Sequence, residues 1–205
     1  MARALSASEV LNMKKQILPF KDEWYDAFGE PEATGIWFVW GNSGNGKTSF
    51  VMQLCKQLCQ YGKTIYNSLE EGVSLSMKNA LQRYQMNTTK SKFQILDCEN
   101  WNDFKERLRT NKRLKFAVID SFQYIQITYP EYIKFKEENR NRLIIFVSHA
   151  DGRSPSGRTA KSVMYDATLK IWVEGHRAQS KGRFIGANGG NFIIWDEGNK
   201  RYGGN

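Results

Sequence analysis

Apolar and polar positions fall into blocks along this chain, and the blocks have two periods. Ile36-Trp37-Phe38-Val39-Trp40 is a continuous apolar run of strand length bounded by glycines, the pattern of a strand buried on both faces. From about Thr48 to Tyr61 the period changes. Val51, Leu54, Cys55 and Leu58 recur at helical spacing, and Gly62 is placed to cap the C-terminus. The same reading predicts a strand over 64–69, a helix over 75–84, a strand over 93–96, a helix over 101–109, and strands over 116–119 and 143–147. Strands alternating with helices, several of them apolar throughout, predict an α/β fold with a mostly parallel sheet covered by helices on both faces.

The two ends read differently. Leu169–Val173 is one more strand, and residues 183–195 carry the pattern of a C-terminal β-hairpin turning at Asn188-Gly189-Gly190. At the other end, Ser6 and Glu9 have capping-box spacing ahead of Val10, Met13 and Ile17, which predicts a short helix ended by Pro19. A polar stretch from Lys21 to Gly35 follows. The expected organisation is an N-terminal helix and linker over 1–34 and one domain over 35–205.

Composition narrows the class. The chain has 205 residues, of which 40% are hydrophobic and 25% charged, the make-up of a globular domain and not of a disordered chain. No apolar run approaches the ~18 residues of a membrane span, and no apolar leader with a small-residue cleavage site precedes the first helix, so the cytoplasm is the expected compartment. Cys55, Cys59 and Cys98 match no zinc or redox spacing and are expected as small core residues. Lys and Arg number 30 against 21 Asp and Glu, a net charge of +9. The excess is regional: residues 101–142 hold 10 basic and 6 acidic side chains, and residues 151–183 hold 7 and 3. Such a surface suits nucleic acid or nucleotide phosphates, and it equally suits plain solvation.

The chemistry is carried by one segment above all. Gly41-Asn42-Ser43-Gly44-Asn45-Gly46-Lys47-Thr48 satisfies G-x-x-x-x-G-K-[ST] between a strand and a helix, with Ser49 next in line. Glycines let successive N–H groups turn toward phosphates, and the helix N-terminus adds its dipole. Lys47 is expected against the β- and γ-phosphates of ATP, and the Thr48 hydroxyl on Mg²⁺. Phe116-Ala117-Val118-Ile119-Asp120 is an apolar strand ending in an acid, which makes Asp120 the second expected Mg²⁺ ligand, through water. Glu70 and Glu71 follow the 64–69 strand; Glu70 is expected as the general base toward the γ-phosphate, with Glu71 its solvated neighbour.

These motifs, in this order, resemble the RecA-like branch of P-loop ATPases, and within it the motor domain of DnaB-type hexameric replicative helicases. Ser68-Leu69-Glu70 is similar to that family's segment with the catalytic glutamate, and Ile119-Asp120 to its metal-binding motif. Val147-Ser148-His149 resembles the strand end that senses the γ-phosphate, which implies a sensing role for His149. Lys181-Gly182-Arg183 looks like the K-x-R element that enters the neighbouring subunit's ATP site. The resemblance therefore implies a homo-oligomer, a hexameric ring or a filament, in which Arg183 and Lys181 act in trans. The basic stretch Asp151–Lys161 stands where the family has a DNA-contacting loop. As a flexible loop it would follow single-stranded DNA with Arg153, Arg158 and Lys161. Forty residues precede Gly41, fewer than that family's separate N-terminal domain, so the expected form is a minimal core similar to phage-type single-domain recombination ATPases. Two other readings use the same loop: a small-molecule phosphotransferase, and a nucleotide-gated loader or regulatory module with weak turnover.

Overall fold

The computed structural model describes residues 3–203. Its centre is β1 (Gly35–Gly41), where every residue after Gly35 is buried because the strand has cover on both sides. Trp37 and Val39 point into one core and Ile36, Phe38 and Trp40 into the other, the period of two expected of a pleated strand. β1 lies between β5 (Leu143–Asp151) and β7 (Leu169–Glu174), parallel to both. Beyond β5 come β4 (Leu114–Asp120), β2 (Lys63–Ser68) and β3 (Phe93–Asp97), all parallel. Beyond β7, the sheet continues antiparallel through β8 (Arg177–Ser180) and β9 (Asn191–Ile193). The two-residue β6 (Ser154–Pro155) folds back on the end of β5. The full order is β3-β2-β4-β5-β1-β7-β8-β9.

Helices cover both faces. On one side α3 (Lys47–Leu58) inserts Phe50, Val51 and Leu54, and α4 (Leu75–Arg83) adds Met77 and Ala80. On the other, α5 (Trp101–Thr110), α6 (Tyr129–Glu138) and α7 (Arg158–Asp166) contribute Phe104, Leu108, Tyr132, Phe135, Ala160 and Val163. The expected α/β architecture is present.

Several local expectations are corrected. The N-terminal helix α1 spans only Ala7–Leu11 and buries nothing, although its Ser6–Glu9 capping box forms. Ile17 is not on it but pairs in an isolated bridge with Glu32. The stretch expected to be a polar linker contains α2 (Asp22–Phe28), whose Trp24, Ala27 and Phe28 enter the main core together with Leu18 and Phe20. Cys55 and Cys59 are buried as expected, whereas Cys98 is exposed. The C-terminal hairpin is β7–β8, turning at Gly175-His176, and not 183–195. Residues 181–190 are irregular, and the chain closes with α8 (Asp196–Gly203). No helix of the described residues is long and apolar enough to cross a membrane.

Candidate functional site

The C-terminal ends of β1, β2, β4 and β5 meet at a cleft of about 460 Å³, the edge of a parallel sheet where ligands are expected. Its rim is the glycine loop after β1. Gly44 and Gly46 take φ values of 77° and 95°, which side chains other than glycine strain to adopt. Gly41 is required for a different reason: a Cβ there would stand 2.2 Å from the Val173 carbonyl oxygen of β7. Ser43, Gly44, Gly46, Lys47, Thr48 and Ser49 line the cleft. Asn42 and Asn45 hold its back. The Asn42 amide donates to Gly152 O (3.3 Å), and Asn45 Oδ1 accepts the Gly175 amide (2.8 Å) while its carbonyl accepts that of His176 (3.2 Å). The loop is thereby tied to the β7–β8 turn.

The other predicted groups converge on the same space. Lys47 Nζ donates to the Asn42 carbonyl at 3.1 Å. Burial lowers its pKa, and the Asp120 and Glu70 carboxylates pull the other way. Asp120, at the end of β4, has its carboxyl pushed up to about 6, chiefly by burial and against the hydrogen bond from the Tyr66 hydroxyl. The Asp120–Ser121 peptide bond is cis. Glu70 stands just past β2 because the Asp120 carbonyl accepts the Leu69 amide at 2.6 Å. Its Oε2 meets His149 Nε2 from β5 at 2.8 Å. Glu71 also lines the cleft, but the Ser76 hydroxyl at the start of α4 donates to its Oε2 at 2.7 Å.

Thr48 and Asp120 offer a hydroxyl and a carboxylate oxygen to one space, and among the described residues no larger cluster of ligating side chains forms. That donor set fits Mg²⁺, which takes one or two carboxylates and completes its shell with water and phosphate.

Five predicted residues lie elsewhere. Arg153 is in the turn after β5, Lys181 lines a separate concavity, and Arg183 is exposed in the irregular 181–190 segment, on no strand. Arg158 and Lys161 belong to α7, so 151–161 is not one flexible loop: β6 pairs with β5 and the helix begins at Arg158. Its apolar stripe, Ala160, Val163 and Ala167 at helical spacing, was the available signal. Three contributors escaped the sequence reading. Tyr66 is a polar-tipped residue inside an apolar strand. His176 lines the cleft from the β7–β8 turn. Gln123 donates to Ser148 Oγ (2.8 Å) and Ser156 O (3.0 Å) and accepts the His149 amide (3.2 Å).

No family model matches the sequence, and no curated protein does. Solved structures match in number, 613 chains. One is the ATPase domain of a DnaB-like helicase, at TM-score 0.52 and 13% sequence identity, covering 74% of this chain and 78% of that chain. A likeness at that identity is one of fold. With its parallel core, its phosphate loop at the end of the central strand and its antiparallel extension, the chain has the RecA-like P-loop NTPase fold.

Proposed function

We propose that the chain is a Mg²⁺-dependent, cytoplasmic ATPase that acts on single-stranded DNA as a homo-oligomer, a ring or a filament. One observation carries the reading: the phosphate loop, Asp120, Glu70 and His149, far apart in sequence, line one cleft, with Glu70 and His149 in contact. The loop amides and Lys47 would hold the phosphates of ATP, and Thr48 and Asp120 the metal. When bound, the nucleotide and its metal supply a phosphoryl group open to attack by water. Glu70 accepts the proton of that water as general base. His149 steers Glu70 by holding one of its two carboxylate oxygens. Glu71, tied to α4, is less suited to the task. Arg183 lies outside the cleft of its own chain and is assigned to the site of an adjacent copy, where a guanidinium offsets developing charge. The net charge of +9, concentrated beyond residue 100, supports a polyanionic partner.

The test is ATP turnover in Mg²⁺ with and without a thymidine oligomer. Wild type should hydrolyse ATP and be stimulated by the oligomer, and Lys47→Ala should be inactive. Glu70→Gln should still bind a fluorescent ATP analogue while turnover falls by about 10²–10⁴-fold. Normal turnover in Glu70→Gln would move the base to Glu71, and a wild-type chain without nucleotide binding would end the reading.

A further inference from the structure

A second concavity, about 560 Å³, lies along the outer part of the sheet, lined by none of the residues that line the phosphate-loop cleft. Its floor follows from strand alternation. Lys170, Trp172 and Glu174 share one face of β7, and Arg177, Gln179 and Lys181 face the same way from β8. Ile171, Val173 and Ala178 are buried on the other face. The Lys181 amide donates to Lys170 O at 2.6 Å, so the two lysines are neighbours across the ladder. One wall is the end of α7 with Tyr165, and the other is Trp40 with Arg153.

The charge there is uncompensated. Among the described residues, Arg153, Lys170, Arg177 and Lys181 form none of the ion pairs that occupy Lys136, Arg107 and Arg109 elsewhere. The one acid in the groove, Glu174, accepts from Trp172 Nε1 (3.2 Å) and the Tyr202 hydroxyl (3.3 Å). Lys170 is near enough to Asp166 to lower its carboxyl, but that carboxylate is already bonded to Lys136 and Tyr132. Like charges opposed across a ladder are unfavourable, and an anion between them reverses the sign. The aromatic content is equally specific. Trp40 and Trp172 pack with ring centroids 5.6 Å apart, and Tyr165 stands above them, 76% exposed. Arg158, Lys161 and Tyr165 lie at i, i+3 and i+7 on α7, opposite the buried Ala160 and Val163, so the helix extends the cationic track.

We propose that this groove holds a single strand of DNA, with phosphates on Lys170, Arg177 and Lys181 and a base stacked on Tyr165. The track then continues over Arg153, Lys161 and Arg158. The proposal rests on the DNA-dependent reading above and names where the strand lies. It assigns Lys181 to the strand and leaves Arg183 as the residue acting in trans. Cations track the backbone and an exposed ring takes a base face, a combination that suits single strands without sequence preference. A stacked duplex cannot offer Tyr165 a base face.

The test is fluorescence anisotropy of a labelled twenty-nucleotide thymidine oligomer over a salt series. Lys170→Ala/Arg177→Ala should weaken binding at least tenfold and flatten the log–log salt slope by about 1.4, at ~0.7 per phosphate. Tyr165→Ala, at an exposed position that the fold does not need, should weaken binding about tenfold with the slope unchanged, and Tyr165→Trp should restore it. Lys112→Ala/Arg113→Ala, in the α5–β4 connection, should change neither quantity. The groove is excluded by normal affinity in both groove variants, by an equal loss in the Lys112/Arg113 control, or by equal binding of duplex. It is also excluded if Tyr165→Ala acts only by dissociating an oligomer, which would make the groove a contact with a second copy. Wild type without affinity for the oligomer would end the DNA reading itself, whereas wild-type binding with unaffected groove variants ends only the groove.

Discussion

Asp166 shows how a single side chain can fasten two helices behind the site. It ends α7, and its carboxylate accepts from Lys136 Nζ of α6 at 2.7 and 2.9 Å and from the Tyr132 hydroxyl. Burial alone would raise its carboxyl, but the Lys136 and Tyr132 hydrogen bonds outweigh it and hold the pKa below the ordinary value of 3.8. A carboxylate held down in this way stabilises the fold above the unfolded pKa and loses that contribution as pH falls through the folded one. Asp166→Asn should therefore cost about 1–2 kcal/mol at pH 7, and the gap to wild type should close below about pH 3. Urea denaturation at the two pH values measures it; an equal gap at both would mean that the hydrogen bonds act without the charge. Tyr66 illustrates the same scale from the opposite direction. Its hydroxyl reaches Asp120 from the next strand, a contact that no local sequence pattern encodes because the strands pair 54 residues apart.

Among elements, what was legible depended on how much apolar patterning each one carries. β1, β4 and β5 are nearly all apolar because they are covered on both faces, and each was read close to its true bounds. β8 has a single apolar side chain among Arg177-Ala178-Gln179-Ser180, since its outer face is a polar groove, so the glycine pair at 189–190 drew the hairpin to the wrong place. α6 buries only Tyr132 and Phe135 and went unread, although Thr128 and Glu131 form a capping box and Pro130 stands in its first turn. The phosphate loop and its acidic partners were legible because that chemistry needs fixed residues at fixed spacing. Gln123 was not, since an amide bridging two strand ends has no spacing rule. From the short 3₁₀ segment Phe122–Tyr124 it joins the backbone of His149 to the turn that starts α7. Gln123→Ala should thus lower the ratio of DNA-stimulated to basal turnover by about 0.5–2 kcal/mol of coupling. An unchanged ratio would make Gln123 a structural tie only.

For the molecule as a whole, the decisive arrangement is between copies. Arg183 cannot serve the cleft it does not line, so a protein that needs it needs a neighbour. A positioned arginine contributes about 10³–10⁵-fold to phosphoryl transfer, so Arg183→Ala should be as inactive as Lys47→Ala. Mixing the two should restore part of the ATPase activity, because some sites then combine an intact loop with an intact arginine. Full activity of a strictly monomeric wild type, at every concentration and with DNA present, would remove the trans role. The β7–β8 hairpin gives such an assembly a mechanical property. Its turn is clasped between Asn45 and Tyr202, with a Cβ on Gly175 meeting the tyrosine ring at 2.3 Å. Its far end, about 20 Å of strand away, carries Lys170 and Lys181. A hairpin gripped at both ends is a lever, and tension on whatever lies against its outer face is delivered to the fingertips of the phosphate loop. How tightly the loop holds its cargo then becomes a gauge of the load the machine is pulling.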